Sequence, residues 1–319
     1  MGTPKVAVLD DYQPVALQCA DWSSVSADAD IQTFPEFIAD ERALVSALAD
    51  FEIVVAMRER TPFPRSLLAQ LPALKLLITT GPSNASIDLG AAAEFGIMVC
   101  GTGAAFPPAF EHTWALILAC AKRLVDNDHE IRSGGWQRHV GMDLAGARLG
   151  VMGLGYYGSR VATVGKAFDM DVVAWSQNLT DARCAEVGAT RVEKDELLST
   201  SDFVTIHLRL SDRTFRLIGE RELRAMRSTA YLINTSRGTI IDEPALTRAL
   251  QERWIAGAGL DVFEQEPLSV QHPFRQMQNV VCSPHVGYVT WDSYRIFFSD
   301  VVENIRNYLD GTTLSRVLT

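Results

Sequence analysis

The chain has 319 residues, roughly twice the ~150-residue expectation for one domain, so a single small module is excluded. Hydrophobic residues make up 47% and charged residues 21%, which is enough apolar surface for a sizeable core and excludes an extended disordered chain. The 29 Lys and Arg against 39 Asp and Glu leave a net charge of −10 without a long block of like charge. Nucleic acid is therefore not an expected partner, and an acidic substrate needs locally placed Arg or Lys. The five cysteines, Cys19, Cys100, Cys120, Cys184 and Cys282, are scattered without zinc-like or paired spacing, so no metal is expected and a reducing cytoplasm fits best. The opening MGTPKVAVLDDY reads as a strand rather than a signal peptide, and no apolar stretch reaches membrane-spanning length.

From Lys5 onward, short β-branched runs (KVAVLD, EIVVAM, LKLLIT and GIMVC) alternate with helix-like stretches. After Cys100 the rhythm breaks at GTGAAFPPAF, which suggests a hinge near Gly103. One extended helix is expected over FEHTWALILACAKRLVDNDHEIRSGGW. The alternation then resumes through RLGVMG, DVVAW, FVTIHL, AYLINT, AGAGLDVF and VVCS. A second hinge follows Gly287, before a helical pattern that ends at Gly311. Continuous apolar runs, rather than alternating ones, predict parallel strands covered on both faces by helices. The expected fold is α/β, with two Rossmann-like doubly wound parallel-sheet domains separated by a cleft. Residues 1–103 with 291–319 form a substrate-binding lid domain, and residues 104–290 form the dinucleotide-binding domain.

The run ARLGVMG leads into Gly153-Leu154-Gly155-Tyr156-Tyr157-Gly158 and then into a helical pattern. In that strand–turn–helix context the glycines allow a tight turn, backbone approach to a pyrophosphate and close helix packing, with the anion at the helix N-terminus. The fingerprint expects a carboxylate about 20 residues on, where it would hydrogen-bond a ribose. Here the second strand ends in Ser176-Gln177-Asn178, with Arg183 a remote cation, so NAD and NADP both remain open. His207, ending FVTIH at a sheet edge, is a further cofactor candidate.

Among six histidines, His285 follows a strand and precedes Gly287, a place where open α/β sheets bind ligands. His112 reads as structural or surface. Arg237 follows a buried strand, and a guanidinium there can hold a carboxylate in bidentate fashion. Asp261, Glu264 and Glu266 follow another strand, and a Glu beside a His can orient the imidazole for proton transfer.

The ordered set of glycine turn, NTSRG, GLDVFEQEP and SPHVG resembles the D-isomer-specific 2-hydroxyacid dehydrogenase family across essentially the whole chain, including EHTWALILA and VAVLDDY. The resemblance implies that Arg237 binds the substrate carboxylate and polarises the carbonyl, that Glu266 pairs with His285, and that His285 is the general acid in reduction and the base in oxidation. It also implies that Asp261 holds the nicotinamide carboxamide. Tyr156, Tyr157 and Thr235 join the cofactor set. The implied reaction moves a hydride between NAD or NADP and a small 2-keto or 2-hydroxy acid, in a cytoplasmic homodimer built on the long helix near Glu111 to Arg123. Trp136, beyond that helix, reads as a dimer-interface residue.

One departure lies in the substrate loop, where the family's glycine-rich sequence is replaced by Gly81-Pro82-Ser83-Asn84. Pro82 lacks a donor, while Ser83 and Asn84 are expected in the pocket wall. Arg58 matches an arginine that binds a distal anion in phosphoglycerate-type members. Arg58 and Arg60 are equally consistent with a solvated face. The alternatives are a short-type 3-phosphoglycerate dehydrogenase without a regulatory domain and, from a different class, a dinucleotide-sensing corepressor-like binding protein.

Overall fold

A computed structural model of the chain describes residues 2–104 and 108–319. It divides into two compact units, Met1–Phe106 with Val289–Thr319 and Pro107–Tyr288. The segment Ala105–Pro107, beside the expected hinge at Gly103, lies outside the described residues.

In the first unit the apolar runs become β1 (Lys5–Val8), β3 (Ile53–Ala56), β4 (Leu76–Thr79) and β5 (Met98–Cys100), joined by β2 (Asp30–Thr33). All pairs are parallel, in the order β2-β1-β3-β4-β5. Every residue of β3 and β4 is buried, as the continuous apolar runs require when helices cover both faces. β2 is an edge strand of alternating exposure and polar sequence, DIQT, and carries no such run. The helix Trp291–Leu309 completes this unit: Thr290 caps it by accepting from the Ser293 amide, and it buries Tyr294, Phe297, Phe298, Val301, Val302 and Ile305 at helical spacing. Phe298 meets Trp22 with ring centroids 6.4 Å apart.

The second unit holds β6 (Arg148–Met152), β7 (Asp171–Trp175), β8 (Thr190–Arg191), β9 (Phe203–Ile206), β10 (Tyr231–Asn234), β11 (Gly257–Leu260) and β12 (Val280–Cys282). The order β12-β11-β10-β9-β6-β7-β8 reverses direction between β9 and β6, which opens a ligand crevice beyond the carboxyl ends of those two strands. β9 therefore lies in the middle of the sheet and not at the edge expected for FVTIH. Fully buried side chains such as Phe203, Leu232 and Ile233 each contribute about 1.5–3 kcal/mol of burial.

The expected single helix after the first hinge is two helices, Ala109–Ala121 and Leu124–Arg132. Between them Arg123 takes a left-handed φ of 50°. The Ala121 carbonyl accepts the Met142 amide at 2.8 Å, which stops the first helix. That helix packs on β11, where Gly259 leaves room for Leu116 and Cys120: a Cβ there would stand 3.1 Å from the Leu116 Cβ. The second helix buries no residue at all, so the packing that supports the first ends where the backbone turns.

Candidate active site

The glycine turn sits at the β6 side of the crevice. Gly153 has φ +98°, and a Cβ on it would come within 2.7 Å of the His207 carbonyl oxygen, so a side chain is excluded both by conformation and by space. A Cβ on Gly158 would stand 1.9 Å from the Gly153 carbonyl oxygen, so only hydrogen lets the helix Tyr156–Ala167 close on the strand. Gly155, at its N-cap, has open space where a Cβ would be. That leaves the helix N-terminus accessible to an anion. Beside it is a cavity of about 330 Å³ lined by Gly153, Gly155, Ser176, Asn178 and His207. A tight turn, an open helix end and a cavity at the strand reversal fit a dinucleotide, whose pyrophosphate the backbone amides would hold.

His207 accepts or donates through Nε2 to the Thr205 hydroxyl at 2.9 Å. Burial pushes its imidazole down to about 4, so it is neutral near neutral pH. Tyr156, Tyr157 and Gln177 do not line the cavity. The Arg160 guanidinium lies 4.6 Å over the Tyr156 ring, which is itself edge-on to Tyr157, and the Gln177 side-chain oxygen accepts from Arg213.

The acid–base set follows three adjacent strands. β12 ends at Cys282 and leads through Ser283 and Pro284 to His285, whose φ is 53°. The His285 amide donates to the Asp261 carbonyl at 2.8 Å, joining this turn to the end of β11. The His285 ring places Nδ1 2.6 Å from the Glu266 carboxylate. The other Glu266 oxygen accepts the Phe263 amide at 2.9 Å, so the carboxylate is fixed from both sides. Arg237 follows β10 in the segment Thr235-Ser236-Arg237. That turn is held by Asn234, which donates to the Arg237 carbonyl and accepts from the Ser236 amide. The Arg237 Nη1 donates to the Ser236 carbonyl at 2.8 Å. Thr235 shares a hydrogen bond of 2.7 Å with Thr113 on the helix Ala109–Ala121. Glu264 lies outside the set and pairs with Arg216 at 2.9 Å.

Asp261 is 1% exposed. One carboxylate oxygen accepts the Ser283 hydroxyl at 2.6 Å and the Val286 amide at 2.9 Å, with the His112 Nε2 at 3.2 Å, and the other accepts the Gly287 amide at 2.9 Å. Burial pushes the carboxyl up, but the hydrogen bonds from His112, Ser283 and the Val286 amide outweigh it and hold it below the usual carboxylate range. Every one of these partners belongs to the His285 turn or to the helix packed on it, so Asp261 clamps the backbone on both sides of His285. His112, read from sequence as structural or surface, is part of this clamp, with Nε2 2.7 Å from the Ser283 hydroxyl. A histidine inside an apolar helical stretch gives no sign of its partner, because Ser283 lies 171 positions away in sequence.

In the first unit, Arg58 follows β3 with φ 51°. Its guanidinium lies against Gly81, where a Cβ would meet Nη1 at 1.8 Å, and Nη1 donates to the Thr80 carbonyl at 3.3 Å. Gly81 donates its amide to Thr102 at 2.6 Å. Pro82 and Ser83 are exposed. Asn84 is not in a pocket wall: it is 6% exposed, and its amide donates to the Arg58 carbonyl and the Thr79 hydroxyl. The local turn needs that polar staple, so the side chain points inward. Arg60 donates to the Asp10 carbonyl at 2.6 Å and to the Tyr294 hydroxyl at 3.3 Å, and it covers the Tyr12 ring at 4.4 Å. It is built into the frame of this unit and is not a solvated arginine. Arg209, unmentioned among the sequence candidates, lines the dinucleotide cavity. Its position two residues after His207, at the end of a strand flanking the reversal, is the signal that could have found it.

Among the described residues no cluster of three metal-ligating side chains is present, and no helix is long and apolar enough to cross a membrane. The family model described as D-isomer specific 2-hydroxyacid dehydrogenase, NAD binding domain, matches residues 114–287. A glyoxylate reductase of Aeropyrum pernix is 41% identical over 255 residues, spanning 77% of this chain and 76% of that protein. Among solved structures, a phosphoglycerate oxidoreductase from Vibrio cholerae O395 aligns with a TM-score of 0.90 at 33% identity, covering 97% of this chain and all of that one (100%). D-lactate dehydrogenase from Aquifex aeolicus, solved with NAD and lactic acid, aligns with a TM-score of 0.76 at 27% identity over 96% of each chain. Two parallel α/β sheets, a dinucleotide turn and these relatives define an oxidoreductase that moves a hydride between a nicotinamide dinucleotide and a small 2-keto or 2-hydroxy acid. The chain belongs to the D-isomer-specific 2-hydroxyacid dehydrogenase family.

Proposed function

We propose that the chain reduces a small 2-keto acid of the glyoxylate type, with Arg237, Glu266 and His285 as its reacting set. The observation that carries this is the 2.6 Å contact between His285 Nδ1 and the Glu266 carboxylate, on the strand end next to that of Arg237. When bound, the dinucleotide supplies the hydride. With Nδ1 committed to Glu266, His285 turns its other ring nitrogen to the keto oxygen and donates the proton there, and it takes the hydroxyl proton in the reverse direction. Glu266 holds the ring orientation through its contact with Nδ1. Arg237 binds the substrate carboxylate and polarises the carbonyl. Asp261, held on both oxygens by the His285 turn, serves first as the positioning residue for that turn.

The domain assignment that goes with this reading gives substrate binding to residues 1–103 with 291–319 and dinucleotide binding to 104–290. Gly81 supports the substrate through its strand-end loop, with Pro82 and Ser83 as its exposed wall. Arg58, whose Nη2 lies 3.6 Å from the Glu59 carboxylate, is the cation that would meet a second anionic end, and among the side chains it alone favours the second reading, a short-type 3-phosphoglycerate dehydrogenase. We infer a homodimer. The exposed apolar residues Leu124, Val125, Ile131, Trp136 and Val140 call for cover, and they follow directly on the helix segment Glu111 to Arg123. Five free cysteines, four of them buried, suit a reducing cytoplasm.

The test follows nicotinamide absorbance with glyoxylate, hydroxypyruvate, 2-oxoglutarate and phosphohydroxypyruvate. Turnover of the first two is expected. A protein that binds cofactor yet is inert toward the whole panel overturns the reading, and strict dependence on the phosphate, lost in Arg58→Ala, transfers it to the second.

A further inference from the structure

The end of β7 carries Ser176-Gln177-Asn178, without the carboxylate that would hydrogen-bond an adenosine ribose and repel a phosphate on it. No acidic residue lines the adjoining cavity, whereas Arg183 and Arg209 line it from its two sides. Arg183 is pinned in the cavity floor: Nη2 donates to Ser159 at 2.6 Å, Nε donates to the Leu154 carbonyl at 3.3 Å, and Nη1 pairs with Glu186. Arg209 lies on the opposite rim, in the segment after β9. Among the described residues its guanidinium has no hydrogen-bond or ion-pair partner, and its backbone carbonyl accepts the Thr214 hydroxyl at 2.7 Å, which fixes the turn. From that same turn Arg213 reaches across to Gln177 at 3.3 Å, so the turn stands beside the β7 end. His207 is neutral and adds no charge. Arg183 and Arg209 in the lining, with Arg213 in the adjoining turn, make a partial cationic ring around a cavity that no carboxylate lines, in a protein of net charge −10.

A hydroxyl on the ribose gives such a ring nothing to neutralise. A phosphate there, with charge near −2 at neutral pH, does. We propose that this chain selects NADP(H) over NAD(H), with Arg209 as the principal specificity-determining residue and with Ser176 and Arg183 completing the phosphate subsite. The proposal rests on the reading of the crevice as the dinucleotide site.

The test is isothermal titration calorimetry of the full chain with NADPH, NADH, adenosine 2′,5′-bisphosphate and AMP, repeated on Arg209→Ala and Ser176→Asp. NADPH is expected to bind at least about tenfold tighter than NADH, and the bisphosphate tighter than AMP, as two charge-assisted contacts require. Arg209→Ala should narrow the NADPH-to-NADH ratio by about fivefold or more. Ser176→Asp should invert the ratio, because a carboxylate returns to the ribose. Arg209 is exposed and Ser176 sits at a strand end, so neither variant threatens folding. Equal or tighter binding of NADH by the wild type, or a ratio that neither variant moves, overturns the selectivity claim alone. A chain that binds neither dinucleotide overturns it together with the reading of the crevice.

Discussion

Replacing Glu266 by Gln keeps the size of the side chain and an acceptor for the Phe263 amide, and sets a neutral NH2 donor where a charged oxygen faced His285 Nδ1. The bond removed is charge-assisted and short, 2.6 Å, a type that contributes about 1.5–3 kcal/mol. The two side chains are 25% and 34% exposed, so solvent screens part of the attraction and the lower half of that range applies. A loss of about 1.5–2 kcal/mol of transition-state stabilisation is a fall of roughly 10–30-fold in kcat. Glu266→Ala should fall further, because the Phe263 amide then also loses its acceptor and the loop before His285 loosens. The assay is steady-state reduction of glyoxylate followed by nicotinamide absorbance, with cofactor affinity measured on the same samples. The fall should appear in kcat while cofactor affinity holds. A Glu266→Gln enzyme within twofold of wild type at saturating substrate would refute the assignment of Glu266 as the partner that orients His285.

Gly158→Ala would place a methyl 1.9 Å from the Gly153 carbonyl oxygen. A cost of about 3 kcal/mol in stability, read from the denaturant midpoint, and a loss of dinucleotide affinity are expected. His207 has its folded pKa depressed from 6.5 to about 4. The unfolded chain therefore takes up this proton first, and the stability present above pH 6.5 is lost as pH falls toward 4, by about 3 kcal/mol. Urea midpoints of His207→Gln should drop less than those of wild type across this window; parallel curves would show that His207 is not held neutral. Ser283→Ala removes one donor to Asp261, and a roughly fivefold loss in kcat is expected from a looser His285 turn, about 1 kcal/mol. Unchanged kcat would confine the Asp261 cluster to a folding role, which thermal melts would then register.

The strands buried on both faces were legible because their apolar runs are continuous, as in IVVA and LLIT. β2 and β8 were not, since an edge strand half in water reads as polar loop, and TR is two residues long. The glycine turn was readable from its spacing, and the space around Gly153 and Gly158 gives that spacing its physical cause. The long helix reads as continuous because its helical composition persists past Ala121, while the break accompanies a bond from the Met142 amide, 21 residues away in sequence. His112 carries no local signal, and Arg209 only its place two residues after His207 at a strand end. Their places come from the sheet order, which puts the His285 turn beside one helix and the β9 end beside the glycine turn. Asn84 turns inward, although a polar loop residue is expected to face a ligand, because the turn's own backbone groups need it.

The central claim, that His285 carries the proton in 2-keto acid reduction, is tested most directly by single-turnover reduction of glyoxylate in His285→Asn, with cofactor binding measured by nicotinamide fluorescence in the same sample. The account predicts a rate lower by about 10²–10⁴-fold, the range of a positioned acid, with cofactor affinity held within about twofold because the ring contacts Glu266 and Tyr288 rather than the glycine turn. A rate within tenfold of wild type, with cofactor bound, would contradict it.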